Sequence, residues 1–175
     1  MTCRMTGWSF GANVGAAFWA WLVCSSLMIV SLPFPLAADD GKSFVDGLAA
    51  FDGGDVAETV RIWSDLAEIG DLQASVGLAG LYLAGNGVPR DPKRAAALYR
   101  FAAERGDSNG QLNLGRLYWQ GLGIDQDLTA AYAWFSLAAA QGRRWAEDKR
   151  LEIEPLLSAE QRREAEAMTR EIEAR

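Results

Sequence analysis

The chain has 175 residues, half of them hydrophobic and 23% charged, with a formal net charge of −6. That balance fits one folded domain or slightly more and excludes a disordered chain. An acidic surface repels phosphate backbones, which argues against nucleic-acid binding. The absence of histidine removes the commonest general base and the commonest metal ligand.

The first 38 residues carry Arg4 as their sole charge. An apolar core of 18 residues, Gly15 to Leu32, leads to Pro33, Pro35 and the small pair Ala37-Ala38, and then abruptly to Asp39-Asp40. A basic start, an apolar core and small residues ahead of a polar stretch are the parts of an export signal. The core is longer than the roughly 7–15 residues usual for a signal, and long enough to span a bilayer as a helix. A cleaved signal and a retained anchor therefore both stay open, with a buried core helix as the third reading. Either export reading puts residues 39–175 in the periplasm or its equivalent, tethered to the inner membrane if residues 1–38 are kept. Cys24 follows the bulky Val23, which does not suit lipid attachment. Cys3 and Cys24 both lie in this segment, so the remainder has no disulfide, no thiol nucleophile and no thiolate metal site.

Beyond residue 39 the chain repeats itself. The stretch from Leu78 to Asp107 and that from Leu114 to Arg143 align without a gap at an offset of 36 residues. Leu81-Tyr82 matches Leu117-Tyr118, Gly85 and Gly87 match Gly121 and Gly123, and Val88 matches Ile124. Asp91 matches Asp127, Ala102-Ala103 matches Ala138-Ala139, and Gly106 matches Gly142. A further step back aligns Asp55, Trp63, Ala67, Gly70 and Asp71 with Asp91, Tyr99, Ala103, Gly106 and Asp107. There the glycine-rich loop is reduced to Gly53-Gly54, so residues 39–71 are predicted to form a plainer first hairpin.

Each unit reads as two helices. Ala74, Leu78, Leu81 and Tyr82 fall on one apolar face at helical spacing. Gly85 ends that helix in a left-handed conformation. Asp91 caps the second helix, with Pro92 at its first position, and the helix runs to Arg105 before Gly106. Asp55 with Glu58 has the spacing of a variant capping box, and Asp71 and Asp107 are placed to cap the first helices. The paired alanines are small where helices must approach closely. Helix pairs are predicted to begin near Lys42, Leu72 and Ser108, with repeats over 72–107 and 108–143. A single hairpin cannot bury its apolar face, whereas a stack can.

The pattern LxxLYxxGxGVxxDxxxAxxxYxxAAxxG resembles the Sel1-like repeat, a relative of the tetratricopeptide repeat. The second unit matches it through Leu114-Gly115, Tyr118, Gly121, Gly123, Ile124, Asp127, Ala131, Trp134 and Ala138-Ala139. The first departs mildly, with Ala79 where glycine is usual. The resemblance covers Val45 to Ala146. It implies an all-α, short right-handed α-solenoid of stacked hairpins that holds proteins or peptides, often outside the cytoplasm. It brings no catalytic residues.

The last segment, 144–175, is predicted to cap the stack. Trp145 and Leu151 are the apolar residues of the helix that Pro155 breaks. A final helix starts at Ser158, with Gln161 in capping-box spacing and a thin apolar stripe of Ala165, Met168 and Ile172. Glu166–Arg170 and Glu171–Arg175 are spaced for surface pairs. An acidic interaction tail is the other reading of this segment.

Little chemistry stands beside this architecture. Asp125 and Asp127 faintly suggest a cation loop but lack the remaining ligands of one, and Asp127 is explained as a cap. The glycine pairs follow helices and lack a P-loop lysine. Glu58, Glu68 and Glu104 read as solvated helical carboxylates. Trp119, with Arg116 on the same helix and Leu83 as its counterpart one repeat earlier, is the candidate binding anchor; the competing reading packs Trp119 on the neighbouring hairpin. Trp63 and Trp134 read as core. No cofactor or metal is expected. The function expected is an exported, non-catalytic scaffold for a protein or peptide partner. The alternatives are a permanent structural subunit of an envelope complex and a regulatory protein associated with an enzyme. Membrane contact is expected only through residues 1–38.

Overall fold

The computed structural model describes residues 41–175, so the signal or anchor segment lies outside the described residues. All regular structure among them is helical: α1 (Phe44–Asp52), α2 (Val56–Glu68), α3 (Leu72–Ala84), α4 (Pro92–Ala103), α5 (Ser108–Gln120), α6 (Leu128–Ala140), α7 (Arg144–Ile153), a 3₁₀ turn (Glu154–Leu156) and α8 (Ala159–Glu173). None of these helices is long and apolar enough to cross a membrane. Consecutive helices from α1 to α7 pack on one another, which makes a stack of hairpins.

Caps set the helix ends where the sequence places them. Asp55, Asp91 and Asp127, spaced by the repeat, accept from the backbone N–H groups of Glu58, Arg94 and Ala130, each at 3.0 Å. Asp71 and Asp107 do the same for α3 and α5 at 2.7 and 2.6 Å. Gly85 and Gly121 end α3 and α5 in the left-handed region. The helix α4 closes at Ala103, slightly before the predicted Arg105, with the chain turning through Glu104. Only half of the capping box at Asp55 forms. The Glu58 carboxylate turns to Arg61 and Lys42, whose charges hold it more strongly than a backbone N–H would.

The loop between the helices of each full repeat has a fixed hydrogen-bond pattern. The Asp91 N–H donates to Tyr82 O at 2.9 Å, and Asp127 N–H to Tyr118 O at 3.0 Å. Side chains one residue earlier, Arg90 and Gln126, donate to the carbonyls of Leu83 and Trp119 at 3.0 and 2.8 Å. The glycine in the middle of the loop joins one repeat to the one before. Gly87 lies on Val56, where an added Cβ would sit 2.5 Å from Cγ1. Gly123 lies on Pro92, where a Cβ would sit 2.2 Å from the carbonyl oxygen. Val56 and Pro92 are the first residues of α2 and α4, so this contact too recurs at the repeat spacing.

Helix approach within a hairpin follows one rule. A large aromatic on the second helix lies over a small residue on the first, Trp63 over Gly47 and Phe135 over Gly115, and the residues 36 positions before the latter pair, Tyr99 and Ala79, are both buried. A Cβ on Gly47 would meet the Trp63 ring at 2.3 Å, and one on Gly115 would meet the Phe135 ring at 2.7 Å. This register corrects the sequence reading. Phe135, not Trp134, stands 36 residues after Tyr99 and is fully buried. Trp134 is also buried, but on the neighbouring face of α6, and its indole N–H has no acceptor. The indole of Trp63, by contrast, donates to Phe44 O at 3.2 Å. The paired alanines behave as expected: a Cβ on Gly110 would come within 2.8 Å of Ala102 Cβ, so α4 and α5 nearly touch there.

The stack changes character at α7. Arg143 stands where a capping aspartate would recur, and no side chain caps α7. Its buried residues are Ala146 and Ile153, while Trp145 and Leu151 are 41% and 52% exposed. The helix α8 packs on α6 and not as a hairpin partner of α7. Ala165 is buried there, with Met168 and Ile172 half-buried against the core. The capping box of Ser158 and Gln161 is complete. Glu171 and Arg175 pair at 2.7 Å, whereas Glu166 and Arg170 form no ion pair among the described residues. The segment is thus a docked helix and not a free acidic tail.

Three measurements test this packing. Gly123→Ala should destabilise by more than Gly106→Ala in a denaturant melt. Both glycines have positive φ, which costs a Cβ residue about 1 kcal/mol, but only Gly123 faces a backbone oxygen. Equal losses would mean that the loop contact is dispensable. Trp63→Phe should cost about 1 kcal/mol more than Trp134→Phe, because only the first strips a hydrogen bond while the second removes an unsatisfied donor. Truncating Phe135 to Ala should cost about 3–5 kcal/mol, as expected for a large aromatic in a core.

Candidate protein-binding groove

A groove of about 760 Å³ runs between the start of α4, the loop before α6 and the start of α8. Lys93 and Arg100, two turns apart on α4, line one side. Ile124, Leu128 and Leu156 supply apolar surface on the other, and Leu156 is 64% exposed. The groove exists because α8 folds back along α6 and brings the 3₁₀ turn opposite α4. Tyr118 reaches into it, and its hydroxyl accepts from the Arg100 guanidinium at 3.1 Å. The apolar loop positions Val88 and Ile124 are both half-buried, but only the second faces this groove.

The residues singled out as binding anchors fall elsewhere. Trp119 is half-buried against the cluster formed by α6, α7 and α8, and the Lys149 ammonium stands 4.6 Å from its ring centroid. Leu83 is half-buried in the other cluster, which extends from α2 to α6. Arg116 is half-buried and near enough to Tyr99 to influence its phenol. None of the three lines the groove, and Leu83 and Trp119 do not share a cluster. The sequence places Tyr118 at a repeat core position and leaves Trp119 as either an exposed anchor or a residue packed on the neighbouring hairpin; the structure has it packed. Each is half-buried, and it is Tyr118 that reaches the groove. No spacing signals this, because the groove wall formed by α8 lies about forty residues further along the chain.

A few ionisable groups in the described residues are shifted by their neighbours. Hydrogen bonds from Arg61 and Lys42 lower Glu58 to about 2. The Arg150 guanidinium holds the Glu147 carboxyl down, and hydrogen bonding to Glu147 in turn raises Arg150. Burial raises the Tyr99 phenol against the opposing pull of Arg116. These are the signatures of ion pairs and burial; an acid–base pair poised for chemistry would have values brought toward pH 7. No group of three or more acidic side chains among the described residues could hold a metal ion.

A family model for the Sel1 repeat matches residues 72–107 and 108–142. A Sel1 repeat protein from Oxalobacter formigenes, of known structure, is 32% identical with a TM-score of 0.58. That match covers 62% of this chain and 85% of the other. The chain belongs to the Sel1 repeat family. A protective antigen present in uropathogenic Escherichia coli strains, displaying an SLR fold, is 30% identical with a TM-score of 0.71. The match to it takes in 74% of this chain but 28% of the antigen, so this protein spans little more than a quarter of that relative's length. No curated protein sequence matches significantly. Sel1 repeat proteins generally act as protein-interaction scaffolds, and the matched residues here are the loop, cap and packing positions that build the stack.

The Glu58 shift has a readable consequence. Its folded value is depressed, so its ion pairs stabilise the first hairpin fully above its ordinary value near 4.5, and that contribution is lost as the pH falls toward about 2. Carboxyl NMR titration should find Glu58 well below the other glutamates, and Arg61→Ala should return it most of the way to the ordinary range. A Glu58 midpoint unmoved by that substitution would contradict the assigned cause.

Proposed function

We propose that this protein is an exported, non-catalytic scaffold whose Sel1 repeats hold a protein or peptide partner. The observation that carries this reading is the solvent-open groove between α4 and α8 in a stack whose repeat-position aspartates are spent on helix caps. Every aspartate at a repeat position serves a helix N-terminus. The groove has the mixed apolar and charged lining of a recognition surface. Exposed apolar residues at the two ends of the stack, Val45 and Leu48 on α1 and Trp145 and Leu151 on α7, favour one variant of the reading: a permanent subunit of an envelope complex.

Export rests on residues 1–38, with their single basic residue, apolar core and Ala37-Ala38 before the acidic stretch. Alkaline phosphatase fused after Arg175 should be active, since that reporter folds productively only outside the cytoplasm. A well-expressed but inactive fusion would end the export reading. With an active fusion, the N-terminal residue separates a released chain beginning at Ala38 or Asp39 from an anchored one that keeps Trp19 and Trp21. Affinity capture from envelope extracts should recover a protein partner. A salt-labile, substoichiometric partner means an exchanging scaffold, and a stoichiometric one means a permanent subunit.

A further inference from the structure

Charge is unevenly spread over the stack. Between positions 90 and 105 lie Arg90, Lys93, Arg94, Arg100 and Arg105 against Asp91 and Glu104, a net of +3 within a chain of net −6. On α2 and α7 basic residues sit against carboxylates: Arg61 with Glu58 and Asp65, Lys149 with Glu152, Arg150 with Glu147 and Glu154. No ion pair among the described residues involves a basic residue of α4 or of the loop before it.

Neutral groups hold these guanidinium groups instead. Arg94 lies over the Tyr82 ring at 4.7 Å, and Arg105 over Phe101 at 3.8 Å. Arg100 donates to the Tyr118 hydroxyl at 3.1 Å. Such partners orient a cation without cancelling its charge. The two acids of the stretch are already engaged. Asp91 caps α4, and Glu104 lies close enough to Arg175, just past the end of α8, to act on its charge. The positive charge of α4 is therefore positioned and unspent.

Lys93 and Arg100 line the groove together with Leu128 and the exposed Leu156. Its cations come from α4, and its carboxylates, Asp125 and Asp127, come from the loop before α6. The geometry points to an extended acidic segment of a partner protein as the occupant, its carboxylates on Lys93 and Arg100 and an apolar side chain on Leu156. This rests on the scaffold reading and names the partner's chemistry. A nucleic acid is a poorer fit, since two groove cations do not offset the repulsion of an acidic chain. A lipid surface is poorer too, because a layer of headgroups would meet Asp125 along with the cations, whereas a peptide segment can set its carboxylates on Lys93 and Arg100 alone. Asp127 is spent on the Ala130 N–H, but Asp125 forms no ion pair among the described residues and so sets the direction: the partner's carboxylates lie on the α4 side.

Fluorescence anisotropy with the full chain in a mild nonionic detergent tests the assignment. The probe is a labelled peptide alternating glutamate and leucine, with lysine–leucine and serine–leucine peptides as controls. The glutamate peptide should bind best, and its affinity should fall steeply as salt is raised from about 50 to about 200 mM. K93Q/R100Q should weaken it about tenfold, the size expected of two partly exposed charge contacts. D125N should tighten it about twofold, by removal of one partly screened like charge. The single variant K93Q, on an exposed residue, keeps the test valid should the loss of Arg100 disturb folding; it should weaken binding by a few-fold. Unchanged affinity in K93Q and in K93Q/R100Q, or equal affinity for the lysine peptide, overturns the proposal. So does binding to phosphatidylglycerol vesicles that these variants abolish while the peptide fails to bind, which reassigns the patch to lipid. Self-association that these variants abolish and the peptide does not compete reassigns it to a second copy. A partner captured equally well by wild type and K93Q/R100Q leaves the scaffold reading standing and removes only this one.

Discussion

The close approach of two helices over a small residue is the contact on which the rest of the stack depends. An aromatic of the second helix lies on a glycine of the first, Trp63 on Gly47 and Phe135 on Gly115, and the middle hairpin buries Tyr99 and Ala79 at the matching repeat positions. Interiors are packed at crystal density, so a methyl group in the wrong place displaces a ring. Burying one such aromatic contributes about 1.5–3 kcal/mol, and it fixes the depth at which the helices interlock. The adjoining loop then has little freedom. Its glycine, Gly87 or Gly123, comes down on the first turn of the preceding repeat's second helix, so each hairpin is registered against its predecessor. Stability in such a stack is the sum of hairpin and interface terms, and the same two contacts supply both.

The helix α6 shows what happens where the repetition stops. The outward face of α2 carries Glu58, Arg61 and Asp65 in ion pairs, whereas α6 has Ala130, Ala133 and Leu137 at the positions two repeats on. A charged face tolerates water and an apolar one requires a cover. The amphipathic helix α8 supplies it by lying on α6, and in doing so it leaves α7 with Trp145 and Leu151 exposed. The groove beside α4 is a by-product of that choice. It opens where α8 begins and α4 has no cover, which is also where the unpaired basic residues lie. Architecture and charge thus coincide at the proposed recognition surface.

The repeat, the helix ends and the boundaries of the hairpins were legible in the sequence because they rest on local chemistry. An aspartate three residues before an unpaired N–H, a proline at a first turn and a glycine at a left-handed position act within one turn of chain. The 36-residue offset then multiplied each signal. What tertiary structure decided were choices between near neighbours and partners distant in sequence. Trp134 and Phe135 are both large and apolar, and α6 is covered by α5, α7 and α8, so periodicity could not say which faced Gly115. The Glu58 carboxylate chose Lys42 and Arg61 over its capping role because charges from another turn and another segment were in reach. Trp119 took Lys149 as its neighbour from thirty residues away, and Tyr118 reached the groove because α8 lay back along α6. Helix caps are settled within a turn of the chain, whereas a groove is settled by which apolar face most needs covering.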